Sequence, residues 1–184
     1  MLEITIPAKE YFDEETFTFF TVNAAKIQLE HSLLSISKWE SKWHKPYLGK
    51  KRKTAEEIMD YIRCMTITQN VNPAVYNNLT SKNFKEILDY IEDPMTATTF
   101  NESKENGKAS KQIITSELIY YWMIVHSIPF ECQKWHIHRL LTLIRVCNIK
   151  SQAGQKMTKS ERAAAMAKRR DLNAARRAAL NSKG

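Results

Sequence analysis

The chain has 184 residues, of which 43% are hydrophobic, and a formal net charge of +8. This length and a near-average hydrophobic content predict one globular domain with an appendage. The longest apolar run, residues 118–125, is far shorter than the roughly 20 residues of a membrane span, and no basic start is followed by an apolar run. We therefore expect no signal peptide, no membrane partner, and a soluble protein in the cytoplasm.

Residues 2–33 alternate β-branched or aromatic side chains with polar ones, as short strands do. The segments LEITIP, FTFFTV and KIQLEHSL are predicted strands, connected at residues 13–15 and 23–25. They predict a small antiparallel sheet or hairpin at the N-terminus of the chain.

From about Leu34 the apolar residues follow the period of a helix, and Trp39 and Trp43 lie four apart on one face. Thr54 and Glu57 have the spacing of a capping box, in which each side chain binds the backbone N–H of the other residue. They predict the start of a second helix. We expect this helix to bury the apolar stripe Ile58, Tyr61, Ile62 and Met65.

Asn72-Pro73 predicts a short helical turn that extends to Leu79. Ser81 is the expected cap of the next helix, which should end before Pro94. The residues expected to face inward from that helix are Phe84, Ile87, Leu88 and Ile91.

Residues 112–148 contain two of the four tryptophans and predict a helix hairpin at the centre of the core. Thr115 and Ser116 are suitable N-cap residues for its first helix, whose side chains are almost all apolar, so we expect it to be covered on most sides. Pro129 is expected at the first position of the second helix. Two apolar stripes are predicted on that helix: Ile137, Leu141 and Ile144, and beside them Leu140, Leu143 and Cys147.

The C-terminal segment differs from the rest in composition. Residues 101–111 predict a solvated loop before the hairpin, and a polar hinge is predicted around Gly154 after it. Thr158 and Glu161 form a second capping box ahead of an alanine- and arginine-rich helix. Nine Lys/Arg and two acidic residues give residues 156–184 a charge of +7. With few large apolar side chains to hold it, this basic helix is expected to project from its domain.

The search for catalytic or metal chemistry yields one weak candidate. Cys132 and His136 lie four apart, with His126 and Cys147 as further ligands, whereas zinc needs three or four converging ligands. A buried thiol and a hydrogen-bonded histidine are the favoured interpretation. The three cysteines, which include Cys64, form no C-x-x-C pair and are expected to be reduced, and the four glycines are too scattered for a phosphate loop. We expect no enzyme activity, no catalytic residues, no metal and no cofactor.

Two basic regions are candidate binding sites. Residues 42–53 hold six Lys/Arg and no acidic residue, with Trp43, His44 and Tyr47 among them, which suits nucleic acid. The favoured interpretation is a solvated loop with its tryptophans turned into the core. The C-terminal helix is more informative, because an arginine-rich helix can bind phosphates or an acidic protein surface, and a solubilising role stays open. The predicted partner-binding residues are Arg162, Lys168, Arg169, Arg170, Arg176 and Arg177.

Several segments together carry a family resemblance. They are LEHSLLSISKWESKW (29–43), TAEEIMDYIRCMT (54–66), TATTF (96–100), ITSELIYYWMI (114–124), IPFECQKWHIHRLLTLIRVCN (128–148) and RRDLNAARR (169–177). The most specific parts are KWESKW and IPFECQKWH. These segments resemble the tail assembly chaperones of long-tailed, siphovirus-type bacteriophages, which are encoded beside the tape-measure protein.

The resemblance implies a non-enzymatic protein of the host cell cytoplasm. Such a chaperone would bind the long helical tape-measure protein, keep it soluble, and recruit the major tail protein before the tail tube polymerises. The nearly neutral body would contact tail subunits or other copies in a homo-oligomer, while the basic helix would engage the extended partner. Members of the family commonly exist in a short form and a frameshifted longer form.

Two other functions stay open, a nucleic-acid-binding protein that uses the basic helix and a permanent component of the phage tail or connector. The predicted fold class is α+β, mainly α. Residues 1–150 form the globular domain, with the β element at 2–33 and the helical part at 34–150. Residues 151–184 form the hinge and the basic C-terminal helix.

Overall fold

A computed structural model describes residues 1–100, 113–154 and 159–179, and beyond Ser151 it describes the side chains of residues 163–164 and 166–177. The fold is α+β and mainly helical, as predicted, with four short strands ahead of the helices. It forms two compact units, Met1–Arg145 and Val146–Gly184. No helix in the described ranges is both long enough and apolar enough to cross a membrane. The predicted loop 101–111 and the capping box of Thr158 and Glu161 lie outside the described residues.

The strands form two separate antiparallel pairs. Strand β1 (Leu2–Ile6) pairs with β4 (Ala25–Leu29), and β2 (Lys9–Asp13) pairs with β3 (Thr18–Val22). Three of these strands were predicted, but β2 was not, because its five residues KEYFD include three charges. Such a segment has a low intrinsic preference for strand and becomes one through its pairing with β3.

The first two helices pack against each other and confirm the local signals in the sequence. Helix α1 (Leu33–Trp43) is capped by Ser32, and α2 (Ala55–Met65) begins with the capping box of Thr54 and Glu57. Trp39 is almost completely buried, and its Nε1 donates to the Glu57 carbonyl at 2.9 Å. The Trp39 and Trp43 rings stack with centroids 6.2 Å apart, as their spacing predicts.

The segment that follows β4 is hydrogen-bonded to the ends of two other elements. The N–H of Glu30 donates to the Met65 carbonyl at 2.9 Å, and the His31 carbonyl accepts from the N–H of Ile137 at 2.7 Å. The core forms around this junction. Its largest fully buried side chains are Ile6, Ile27, Leu29, Leu33, Ile36, Trp39, Ile62, Met65, Ile119, Met123, Ile137 and Leu140.

Of the next two elements, the first starts where it was predicted and the second is capped one residue earlier than expected. A short 3-10 helix (Pro73–Asn78) is capped by Asn72, and α3 (Ser81–Glu92) is capped by Thr80 rather than by Ser81. Thr80 exchanges hydrogen bonds with Asn83 in a capping box. Ser81 is therefore the first residue of the helix and makes no cap.

Helix α4 (Ser116–Val125) is covered on one side only, so the prediction that it is covered on most sides is wrong. Ile119 and Met123 are buried, while Tyr121, Ile124 and Val125 are 55–63% exposed. The helix packs mainly against α1. Because the described chain covers mainly the side of α4 that faces α1, this almost wholly apolar helix keeps an exposed face.

The prediction for Pro129 is also wrong. Pro129 precedes a short 3-10 helix (Phe130–Lys134), and α5 (Ile137–Gly154) starts eight residues after it. Tertiary hydrogen bonds explain the delay, because His136 bridges to Ser32 and His136 Nε2 bonds the Tyr90 carbonyl at 3.0 Å. Helix α5 continues to Gly154, into the segment predicted as a hinge, and α6 is Lys159–Ala179.

Candidate functional site

The predicted partner-binding residues lie on α6, where every side chain that the structure describes is exposed. Arg169 and Arg176 are seven residues apart, as are Arg170 and Arg177. Seven residues are nearly two helical turns, so the members of each pair lie on nearly the same side of the helix, about 10 Å apart along it. The two rows are about 100° apart around the helix, and we call these four arginines together the arginine stripe. Arg162 lies on the same helix, but its side chain is outside the described set. Lys168 lies outside this arginine stripe.

Alanines make up much of the rest of α6, among them the exposed Ala163, Ala164 and Ala174. Met166 and Leu172 are its large exposed apolar residues, at 65% and 52%. No carboxylate in the described ranges forms an ion pair with the four arginines of the stripe. The helix therefore offers several guanidinium groups in a row, each able to bind a carboxylate or phosphate with two hydrogen bonds.

The first half of the other basic region serves the fold. Lys42 Nζ lies 2.5 Å from Asp60 Oδ1, Trp43 Nε1 donates to Asp60 Oδ2 at 2.9 Å, and Lys45 pairs with Glu57. Burial alone would raise the pKa of Asp60, but the hydrogen bonds from Lys42 and Trp43 outweigh it and hold that pKa below its ordinary value. These cations and the Trp43 ring are therefore engaged within the chain.

The second half of that region lines a groove. Lys50, Lys51, Arg52 and Lys53 lie at the edge of a cleft of about 550 Å³ between α2 and α3, which we call the α2–α3 groove. Its apolar lining comes from both helices: Ala55, Ile58, Met59, Ile62, Phe84, Ile87, Leu88 and Ile91. Two predictions are wrong here, because Ile58 is 41% and Leu88 54% exposed. The apolar stripes of α2 and α3 are wider than the surface that the described chain covers.

The edge of the α2–α3 groove is positively charged. Lys50, Lys51 and Arg52 are exposed and form no ion pair with the described carboxylates. Lys53 Nζ lies 4.2 Å from the centroid of the Tyr47 ring, and burial lowers the pKa of Lys53. The groove thus combines an apolar floor with a positively charged rim, and this combination fits a partner with apolar and acidic groups.

The β2–β3 hairpin carries an exposed aromatic surface that was not predicted from the sequence. Phe12 pairs with Phe19 across the strands, and Phe17 lies at the turn. The Phe12 ring contacts both others, with centroids 5.0 Å from Phe19 and 6.2 Å from Phe17. These three residues, which we call the aromatic patch, are 47%, 68% and 80% exposed in the order Phe12, Phe19, Phe17. The sequence did contain a signal for this surface. Phe19 and Phe20 are adjacent, and neighbours in a strand point to opposite faces, so the two rings cannot both face the core.

Three histidines meet at the junction that follows β4. The His31 ring centroid lies 5.1 Å from that of His136 and 6.0 Å from that of His138, and His31 Nδ1 bonds Tyr61 Oη. Burial, with smaller effects from the neighbouring His136, His138 and Lys53, lowers the pKa of His31 to about 3. Burial also lowers the pKa of His136. The His31 and His136 rings act as neutral, hydrogen-bonded parts of the core.

No group of three His, Cys, Asp or Glu side chains suited to a metal ion occurs in the part of the chain that the structure describes. The candidate ligands Cys132, His136, His126 and Cys147 therefore do not converge there. Cys132 is buried and has a free thiol, and Cys64 and Cys147 are half-buried free thiols. Comparisons with protein-family models, with curated proteins and with solved structures gave no match.

Proposed function

We propose that the protein is a non-enzymatic tail assembly chaperone of a long-tailed bacteriophage, which binds the tape-measure protein through α6 and recruits tail-tube subunits. The observation that carries this proposal is the arginine stripe on an α6 whose described side chains are all exposed. The family resemblance also supports it, chiefly through two segments outside α6. The KWESKW segment lies in α1 and IPFECQKWH surrounds the second 3-10 helix, so these two segments belong to the body that precedes α6.

The stripe suits reversible binding to an acidic helix. An exposed ion pair contributes about 0–1 kcal/mol, so one arginine would hold a partner too weakly. Four arginines and Lys168 acting together would supply about 2–3 kcal/mol, and the exposed Met166 and Leu172 would add apolar contact. Contacts of this kind dissociate readily, as a chaperone requires when the tail tube replaces it.

Replacing the cations of α6 by glutamine should weaken tape-measure binding about thirtyfold, which is about 2 kcal/mol. Glutamine keeps the helix propensity and the approximate length of the side chain. The substituted residues are Lys168, Arg169, Arg170, Arg176 and Arg177. The dissociation constant is measured by isothermal titration calorimetry with a soluble tape-measure fragment.

A matched control removes the same charge elsewhere. Five exposed lysines are replaced by glutamine: Lys38, Lys82, Lys85, Lys134 and Lys150. We expect this control to bind within about threefold of the unchanged chain, because it keeps the arginine stripe. Equal weakening of both variants would show a general charge effect, and no weakening of the α6 variant would remove α6 from the interface. Either result contradicts the proposed site.

Nucleic-acid binding is the second candidate function, and the same stripe favours it, since guanidinium groups bind phosphates as well as carboxylates. If the four arginines contact duplex DNA, the logarithm of the binding constant should fall with the logarithm of salt concentration with a slope of about −3.6. Filter binding or fluorescence anisotropy over a salt series measures this slope. No binding of duplex DNA at low salt would eliminate this function and leave the first.

A further inference from the structure

Two surfaces of the same chain have complementary chemistry. The α2–α3 groove has an apolar floor and a rim of three exposed cations that pair with none of the described carboxylates. The β2–β3 hairpin has the aromatic patch on one face and two exposed glutamates, Glu14 and Glu15, at its turn. Both surfaces lie in the unit Met1–Arg145, and neither covers the other within one copy.

The hairpin is held in a fixed place at its base. Tyr11 Oη donates to Asn78 Oδ1 at 2.6 Å, and Asn78 Nδ2 donates to the Pro7 carbonyl at 3.2 Å. Tyr11 and Phe20 lie on the face of the hairpin opposite the aromatic patch, and their rings stack with centroids 5.6 Å apart. Val22 lies on the same face and is buried. A hairpin anchored in this way presents its opposite face, the aromatic patch, with little loss of freedom on binding.

Phe17, at the turn of the hairpin, combines an unfavourable backbone conformation with an exposed side chain. Its φ of 52° is left-handed, a conformation that bulky residues adopt only at a cost and that glycine or asparagine adopt readily. Its side chain is nonetheless 80% exposed. The ring therefore gives little stability to its own fold in return for the strain, which is the pattern of a residue used in recognition.

We propose that the β2–β3 hairpin of one copy docks in the α2–α3 groove of a second copy. The aromatic patch lies on the apolar floor of the groove, and Glu14 and Glu15 pair with Lys50, Lys51 and Arg52 at its rim. Among the exposed elements of the chain, the hairpin fits the groove by charge. Its two glutamates are attracted to the basic rim, whereas the cationic α6 would be repelled by it. Two copies that exchange hairpins reciprocally form a closed dimer, whereas copies that repeat the contact in one direction form rings or open filaments.

This arrangement is tested with two variants, each of which has one defective surface. The groove variant carries Leu88→Glu and Lys51→Glu, and the hairpin variant carries Phe17→Asn and Glu15→Lys. All four positions are exposed, so both variants should fold, and asparagine relieves the left-handed strain at Phe17. Circular dichroism and thermal melting of each variant verify folding before the association measurements.

Association of the unchanged chain, of each variant and of their mixture is measured by sedimentation velocity from micromolar to near-millimolar concentration. The unchanged chain should associate progressively, and each variant alone should associate at least tenfold more weakly. An equal mixture of the two should form a dimer and no larger species, because the mixture retains one intact groove and one intact hairpin. A monomeric unchanged chain, variants that still associate, or a mixture that stays monomeric would each overturn the proposal.

Discussion

Replacing Glu40 by alanine is expected to lower the free energy of unfolding by about 3–5 kcal/mol. Glu40 is only 7% exposed, and its two oxygens accept from two backbone N–H groups. The N–H of Tyr47 lies 2.6 Å from Oε1, and the N–H of Ser116 lies 2.7 Å from Oε2. Alanine would leave both donors unpaired beside α1, and each lost bond to a charged acceptor costs about 1.5–3 kcal/mol.

Ser116 makes this loss unusually important. It is the first residue of α4, and the N-cap residue Thr115 forms no side-chain capping bond, so Glu40 supplies the acceptor from another helix. Glu40→Gln should be almost as harmful, because its NH₂ group would face one of the two N–H donors. Urea unfolding measures the effect, with the exposed Glu92→Gln as control. Losses below about 1 kcal/mol in both Glu40 variants would contradict this role.

The stability of the protein should fall by about 3 kcal/mol between pH 6.5 and pH 4 through His31 alone. The pKa of this imidazole is about 3 in the folded chain, against about 6.5 for histidine in an unfolded chain. Above pH 6.5 both states hold a neutral ring, so His31 has no effect there. Below it, the unfolded chain takes up a proton that the folded chain does not, and stability is lost at up to about 1.4 kcal/mol per pH unit.

Replacing His31 by asparagine separates this effect from the titration of carboxylates. The asparagine amide would keep an acceptor for Tyr61 Oη but would not titrate, so the variant should be less stable at pH 7 and less sensitive to pH below 6.5. The free energy of unfolding is measured in urea at each pH. His44→Asn is the control, because His44 is exposed and its left-handed backbone, with φ of 51°, suits asparagine. Equal pH dependence in the unchanged chain and the His31 variant would refute the prediction.

The local features of the fold were predictable because their causes lie within a few residues. Thr54 and Glu57 satisfy each other across one helical turn, and Asn72-Pro73 starts a turn by its own stereochemistry. The start of α5 was not predictable in this way. His136 and Ile137 are hydrogen-bonded to residues 31, 32 and 90, which are distant in sequence, and these bonds override the helix signal of Pro129.

The candidate surfaces were harder to predict for a different reason. An apolar stripe indicates that a face will be covered, but it does not indicate whether the cover is the same chain or a partner. Ile58 and Leu88 were both expected to be buried, and both are exposed. The arginine spacing of α6 was visible in the sequence, whereas the pairing of a basic rim with an apolar groove required the relative positions of α2, α3 and residues 50–53.

The proposed chaperone function is tested most directly by co-expression of the chain with a tape-measure protein, the partner that this function requires. Alone, the tape-measure protein should be largely insoluble, and with the unchanged chain it should enter the soluble fraction as a complex that survives purification. The variant with five glutamines on α6 should give less soluble complex than the five-lysine control. A tape-measure protein that is no more soluble with the chain than without it would contradict the proposed chaperone function.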